Sequence, residues 1–146
     1  MSGITLVVED PAWRKHRGLQ TRLKQAADVT ARAVKLKGDI TILLADDGRL
    51  EGLNHDFRGK AKPTNVLSFP QGGGGDIAIA HGVVAREAKE QGKTFIDHAI
   101  HLTVHGVLHL AGFDHIKPKD ARVMEPLEVK ILKRLGIRDP YALAPQ

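Results

Sequence analysis

Apolar and polar residues alternate in blocks along the chain, and the spacing within each block predicts strands early and mainly helices later. Mostly apolar runs at Ile4–Val8 and 39–45 predict two strands, the second of them buried on both faces of a sheet. Between these runs, apolar residues recur at helical spacing and predict a long amphipathic helix: Leu19, Leu23, Ala26, Ala27, Thr30, Ala33 and Val34. Gly38 lies beyond its expected end.

Turn-forming residues divide the middle of the chain. Residues 46–48 predict a turn. A basic loop at 58–63 then follows a short helix that three apolar residues predict: Leu50, Leu53 and Phe57. Residues 65–69 and 76–80 predict the strands of an edge hairpin. We interpret the four glycines at 72–75 as a flexible connection, because they lack the Gly-Lys-Ser/Thr ending of a phosphate-binding loop.

The remaining pattern is helical. One helix is expected at 81–91, closed by Gly92, and a second begins with the capping-box-like residues 94–97 and continues to about residue 111. A last helix runs from near 118 to 136, with a kink at Pro126. This order predicts an α+β fold, α/β-like, in which a small mixed four-stranded sheet packs with about five helices. We expect a single domain over residues 1–146.

Composition limits the chemistry that is available. The chain has no cysteine, so any metal must be held by His, Asp or Glu, and the absence of disulfides fits the cytoplasm. We expect no signal peptide at the N-terminus and no membrane span. The net charge is +5, which favours polyanionic partners. Eight basic residues against one acid lie at 14–37, where a solvated helix face is the alternative interpretation.

Three histidines near the end of the helix predicted from residue 94 to about residue 111 have the spacing of one transition-metal site. His105 and His109 are four residues apart, so a helix brings both imidazoles to one face. Gly112 favours a left-handed chain reversal that returns His115 beside His109. Three protein ligands with an open fourth position are typical of a catalytic zinc site. We therefore predict a metal-binding cleft at this helix.

Two further histidines share the same stripe of the helix. His98 is two turns from His105, too far to share its ion, and His101 is expected to orient a ligand rather than to bind metal. Asp114 is either a carboxylate ligand or a hydrogen-bond partner of a metal-bound imidazole, and we favour the second role. Glu125 and Glu128 are candidates for a general base only because they are acidic and follow the motif, and we expect them at the surface.

The spacing H-x3-H-x2-G-x2-H also occurs in metzincin proteases, which makes a zinc metallopeptidase an alternative function. In those enzymes the residue after the first histidine is a glutamate that acts as the general base. Here it is Gly106, which weakens that interpretation.

The block His101-Leu-Thr-Val-His105-Gly-Val-Leu-His109-Leu-Ala-Gly-Phe-Asp-His115 resembles the signature of the YbeY family of bacterial metal-dependent endoribonucleases. The resemblance extends to Leu53-Asn54 with Phe57-Arg58-Gly-Lys, to the segment 62–70, to Gly75-Asp76-Ile77, and to four residues of the last helix: Met124, Glu125, Leu132 and Gly136.

The resemblance implies a function and a set of site residues. Members of that family cleave single-stranded RNA, take part in maturation of the 16S rRNA 3′ end and contribute to ribosome quality control. It implies one zinc ion held by His105, His109 and His115, and a cleft arginine, Arg58, that grips the phosphate. Single-stranded ribosomal RNA and the ribosome or small-subunit assembly factors are the expected partners.

Two residues or segments depart from the family pattern. Asn65 stands where the family usually has Asp, and the glycines at 72–75 simplify the hairpin connection. A third hypothesis is a non-catalytic ribosome-assembly factor whose metal only clips the helix end to the following loop. A metal with three protein ligands and water would argue against it, because structural sites normally fill four positions.

Overall fold

The computed structural model describes residues 3–59, 64–113 and 118–141, apart from the side chains at 58, 118 and 119. Four strands and five α-helices occur in this part of the chain, with a 3-10 helix at Pro11–Lys15. The strands are β1 (Ile4–Val8), β2 (Ile40–Ala45), β3 (Val66–Gln71) and β4 (Gly74–Ala80). The helices are α1 (Leu19–Ala33), α2 (Asp47–Arg58), α3 (His81–Gln91), α4 (Phe95–Leu110) and α5 (Pro118–Arg134).

The strands form one mixed sheet in the order β1-β2-β4-β3. β1, β2 and β4 run parallel, and β3 pairs antiparallel with β4 at the edge. The predicted α+β class, the mixed four-stranded sheet and the edge hairpin are therefore confirmed.

The two faces of the sheet are covered unequally. Ile42, Leu44 and Ile77 point to the face that packs against α1 and α4, where the larger core lies. The other face carries a smaller cluster under α2 that includes Leu50 and Leu67. On this second face, Thr41 and Leu43 of β2 are only half-buried, whereas Ala45 is fully buried, so the prediction that β2 is buried on both faces holds only at its last residue. One helix covers less of a sheet than two do.

The four glycines are packed backbone rather than a flexible connection. Only Gly72 and Gly73 form the turn, with φ of 57° and 78°, whereas Gly74 already belongs to β4. Gly38 donates its N–H to the Gly73 oxygen at 2.9 Å. A Cβ on Gly74 would lie 2.1 Å from the oxygen of Asp39. The prediction failed because glycine permits close backbone contact as well as flexibility.

A second correction concerns residues 46–48, which begin a helix instead of forming a turn. The side chain of Asp46 accepts a hydrogen bond from the Arg49 N–H at 2.7 Å and caps α2. Asp and Gly are common in turns and also at helix N-termini, so composition alone could not separate the two.

The helices after the hairpin follow the sequence closely. α3 ends at Gly92, which has a φ of 67°. Thr94 caps α4 by accepting the Asp97 N–H at 3.1 Å, as the capping-box-like pattern predicts. α5 includes Pro126 and ends at Arg134. Among the described residues, the helices are too short or too polar to cross a membrane.

Candidate metal site

α4 carries the predicted pair of histidines with their ring nitrogens close together. The Nε2 atoms of His105 and His109 are 2.9 Å apart, and the two ring centroids are 4.5 Å apart. Both residues are half-buried. One helical turn therefore brings two imidazole nitrogens to one point, as the i, i+4 spacing predicts. Each is of the atom type that coordinates transition metals.

A carboxylate from α5 holds His105 from the opposite side. His105 Nδ1 donates to Oε2 of Glu128 at 2.8 Å, and Glu128 itself is fully buried. Its other oxygen, Oε1, accepts a hydrogen bond from the Tyr141 hydroxyl. The carboxylate fixes the proton of His105 on Nδ1. The unprotonated Nε2, whose lone pair can coordinate a metal, therefore faces His109.

Glu128 is ionised in this environment. Burial acts to raise its pKa, but hydrogen bonds from His101, His105 and Tyr141 outweigh burial and lower the pKa to about 2. Burial and the neighbouring carboxylate in turn raise the pKa of the Tyr141 hydroxyl. The phenol therefore remains a hydrogen-bond donor at neutral pH.

His101 lies on the same side of α4, one turn before His105. Its Nε2 is 3.3 Å from Oε2 of Glu128, and burial lowers its pKa. One ligand atom each from His101, His105 and Glu128 lies within 4.8 Å of the others, which forms a group of metal-binding size that does not include His109. His105 has contacts through both ring nitrogens: Nδ1 faces Glu128 and Nε2 faces His109.

The pair opens into a cleft of about 540 Å³, within the range of small-molecule and cofactor sites. His105 and His109 lie in its wall, and the cleft extends along α4 and α3 to Glu87 and Lys93. Pro140 and Tyr141 also line it. The predicted cleft at the histidine-bearing helix is present.

Gly106 explains how closely α4 approaches the sheet. A Cβ at this position would lie 3.0 Å from Cγ2 of Ile77 and 3.3 Å from Oγ of Ser68. Ser68 also donates its hydroxyl to the Gly106 oxygen at 3.0 Å. The residue after His105 therefore faces the sheet rather than the cleft.

Several predicted site residues lie outside the described part of the chain. His115 and Asp114 are among them, and so is the side chain of Arg58. Arg58 is the last residue of α2 and is followed by Gly59, which has a φ of 68°.

The sequence interpretation missed the role of Glu128, which it placed at the surface. A signal was present, because Glu128 is four residues after Met124 and three before Ile131, both of which are buried. An acidic residue on the apolar face of an amphipathic helix requires a buried partner. That position should have indicated that Glu128 is buried and has a polar partner.

The chain is similar to one protein family over most of its length. The family model for Endoribonuclease YbeY matches residues 9–136. An endoribonuclease YbeY of Maricaulis maris is 43% identical, with 97% of this chain and 92% of the relative covered. One from Bordetella pertussis is 47% identical over 92% of this chain and 88% of the relative.

A solved structure has the same fold. The solution structure of TM1509 from Thermotoga maritima superimposes with a TM-score of 0.62 at 25% sequence identity. The match covers 90% of this chain and 88% of that one.

Proposed function

The chain belongs to the YbeY family of endoribonucleases, and from this we propose that it is a metal-dependent endoribonuclease that hydrolyses phosphodiester bonds in single-stranded RNA. Its proposed substrate is ribosomal RNA, in maturation of the 16S 3′ end and in ribosome quality control. Its proposed partners are the ribosome or small-subunit assembly factors, and its proposed compartment is the cytoplasm. The observation that carries the proposal is the His105–His109 nitrogen pair, backed by Glu128 and open to a cleft.

The donor set fits a zinc ion. Two imidazole nitrogens converge, and His115 is the proposed third ligand. We propose His105, His109 and His115 as the ligands rather than His101, His105 and Glu128. The reason is that a metal-binding imidazole usually donates its other ring N–H to a carboxylate, as His105 does to Glu128. A bound zinc ion supplies Lewis acidity that activates water and polarises a phosphoryl oxygen.

The residues around the donors have separate tasks. Glu128 keeps His105 in the tautomer and orientation that leave Nε2 available, and Tyr141 keeps Glu128 in place. Arg58 is proposed to grip the scissile phosphate, for which a planar, permanently charged guanidinium is suited. Exposed basic residues before and within α1 are proposed to hold the RNA backbone without reading its sequence, among them Arg14, Lys15, Arg17 and Lys24.

The peptidase alternative loses support at Gly106. A glutamate at this position would have to occupy the space of Ile77 and Ser68 and would point away from the cleft. Metzincin chemistry requires that carboxylate beside the metal. Phosphodiester hydrolysis does not require it.

Incubation of purified protein with end-labelled single-stranded RNA, the matching duplex and a denatured protein substrate tests the proposal. We expect internal cleavage of the single strand alone, and no cleavage by the His109→Ala variant. Equal RNA cleavage by both proteins would show a contaminating nuclease. Cleavage of the protein substrate with intact RNA would favour the peptidase.

A further inference from the structure

The end of the cleft remote from His109 carries a carboxylate that the metal site does not use. Oε1 of Glu87, on α3, lies 2.9 Å from Nε2 of His98 and accepts the Asn65 amide at 3.0 Å. His98 is almost fully buried and fixes this side of the carboxylate. Oε2 of Glu87 has no hydrogen bond to any residue in the described part of the chain, and the side chain is 29% exposed.

A lysine faces the same end of the cleft. Gly92 ends α3 in the left-handed conformation, and Lys93 then turns back, its N–H bonded to the Ala88 oxygen at 2.9 Å. Lys93 is half-buried and lines the cavity together with Glu87. Burial lowers its pKa, and the charges of Glu87, Asp97 and Glu128 oppose that shift. The cleft thus offers an acceptor and a donor at the same end.

This end of the cleft does not suit a phosphate. The hydrogen bond from His98 lowers the pKa of Glu87, and the bond from Asn65 adds to that effect against burial. Glu87 is therefore an anion that repels phosphate. An unpaired carboxylate oxygen beside an ammonium group instead fits a neutral ligand that has N–H donors next to a carbonyl.

We propose that Glu87 and Lys93 form a subsite that selects guanine in the RNA substrate, an inference that rests on the proposed function. The guanine base edge carries N1–H and N2–H side by side for the carboxylate, and O6 for the lysine. Adenine and cytosine present a ring nitrogen acceptor to the carboxylate, and uracil presents one N–H between two carbonyls. Single-stranded RNA exposes these edges for recognition.

The subsite adjoins the proposed reaction centre without overlapping it. His98 is seven residues before His105, which places it roughly 10 Å away along the helix axis. Guanine held there belongs to a nucleotide near the scissile bond rather than to the reacting phosphate itself. Asn65 gains a role as the neutral amide that donates to Glu87.

Calorimetric titration of the metal-free protein with guanosine and adenosine 5′-monophosphates tests the subsite without any need for catalysis. We expect guanosine monophosphate to bind about tenfold more tightly, the discrimination typical of a paired base edge. Equal affinities, or no saturable binding of either nucleotide, would overturn the proposal.

Single substitutions test whether Glu87 and Lys93 cause the preference for guanine. Glu87→Gln should abolish it, whereas Glu90→Gln, the same change at an exposed position of α3, should retain it. Lys93→Met removes the O6 donor and should weaken the preference even if Glu87→Gln fails to fold. A preference unchanged in Lys93→Met and in a folded Glu87→Gln protein would place guanine binding elsewhere and contradict the proposal.

Cleavage assays separate this inference from the proposed function. Single-stranded oligoadenylates with one internal guanine should be cut near that guanine by the native protein and without preference by Glu87→Gln. Cleavage that ignores the guanine would overturn the subsite and leave the nuclease function intact. A preference for guanosine monophosphate in binding, without RNA cleavage, would overturn the nuclease function and leave the subsite intact.

Discussion

In the described part of the chain, two pairs of histidines have their Nε2 atoms within hydrogen-bond distance of each other. These atoms are 2.9 Å apart in the pair His105–His109 and 3.0 Å apart in the pair His16–His81. The surroundings of the two pairs differ. His105 is hydrogen-bonded to the buried carboxylate of Glu128, whereas His16 stacks on Phe95 at 3.8 Å between ring centroids.

Contact between two imidazoles therefore does not by itself indicate a metal site. Among the described residues, neither pair is joined by a third histidine or acidic side chain in one group of metal-binding size. Burial lowers the pKa of both rings, so they remain neutral and form a hydrogen bond. A carboxylate behind the ring distinguishes the other pair, because it directs one nitrogen outward.

The largest expected effect is the loss of metal binding in His109→Ala. Zinc at 100 times its Kd should stabilise the native protein by about 2.7 kcal/mol, visible as a higher melting temperature. His109→Ala should lose this shift, and His81→Ala should retain it. Differential scanning fluorimetry with and without zinc measures both, and a shift lost only in His81→Ala would reverse the assignment of the two pairs.

The carboxylate can be tested next. Glu128→Gln removes the charge behind His105 and should weaken zinc affinity by about 10- to 100-fold, the usual effect of losing such a partner. Glu125→Gln, on the same helix, is the matched control and should bind zinc as the native protein does. Competition with a chromogenic chelator gives the affinities. Unchanged affinity in Glu128→Gln would show that the carboxylate does not support the site.

A glycine follows one histidine of each pair, and these glycines pack differently. Gly106 faces Ile77 of the sheet, whereas a Cβ on Gly82 would meet the Asp47 carboxylate. Gly106→Val should destabilise the fold by about 1–3 kcal/mol, because it overpacks the helix–sheet contact. Urea denaturation measures this change. A variant as stable as the native protein would contradict the close approach of α4.

The smallest expected effect is a pH dependence from the aromatic-stacked pair. Because burial lowers the pKa of His16 and His81 in the folded state, the unfolded chain binds more protons below about pH 6.5. The contribution of the pair to stability is therefore complete above that pH and is lost as the pH drops through the lowered values, which should reduce Tm. Melting curves from pH 7.5 to 5 record the slope.

Replacing one ring should reduce that slope. His16→Phe keeps an aromatic ring beside Phe95 and removes one titrating group. His55→Gln changes an exposed histidine and is expected to leave the slope unaltered. A slope that depends on His55 and not on His16 would contradict the assignment of this pH dependence to the half-buried pair His16–His81.

The sequence predicted an element correctly where its residues favour a single local conformation. Ile4–Val8, Thr94 as a cap and Gly92 as the end of α3 were all predicted at their observed positions. The His105–His109 contact follows from helix geometry alone. The predictions failed at 46–48 and 72–75, where Asp and Gly have several possible roles that only packing decides.

The carboxylates that contact the site residues could not be predicted, because each contact joins residues far apart in the sequence. Glu128 reaches His105 across 23 residues, and Glu87 meets Asn65 across 22. Neither partner can be assigned from spacing, because the packing of α5 and α3 against α4 determines which side chains meet. The apolar neighbours of Glu128 could have indicated that it is buried, but not which group it contacts.

RNA cleavage is expected to depend on metal held by the His105–His109 pair. The most direct measurement is the rate of single-stranded RNA cleavage by chelator-treated native protein, His109→Ala and His81→Ala as zinc is added back. We predict that activity of the native protein and His81→Ala returns with one zinc per chain, while His109→Ala remains at background. Cleavage that survives chelation, or that returns in His109→Ala, would contradict the claim.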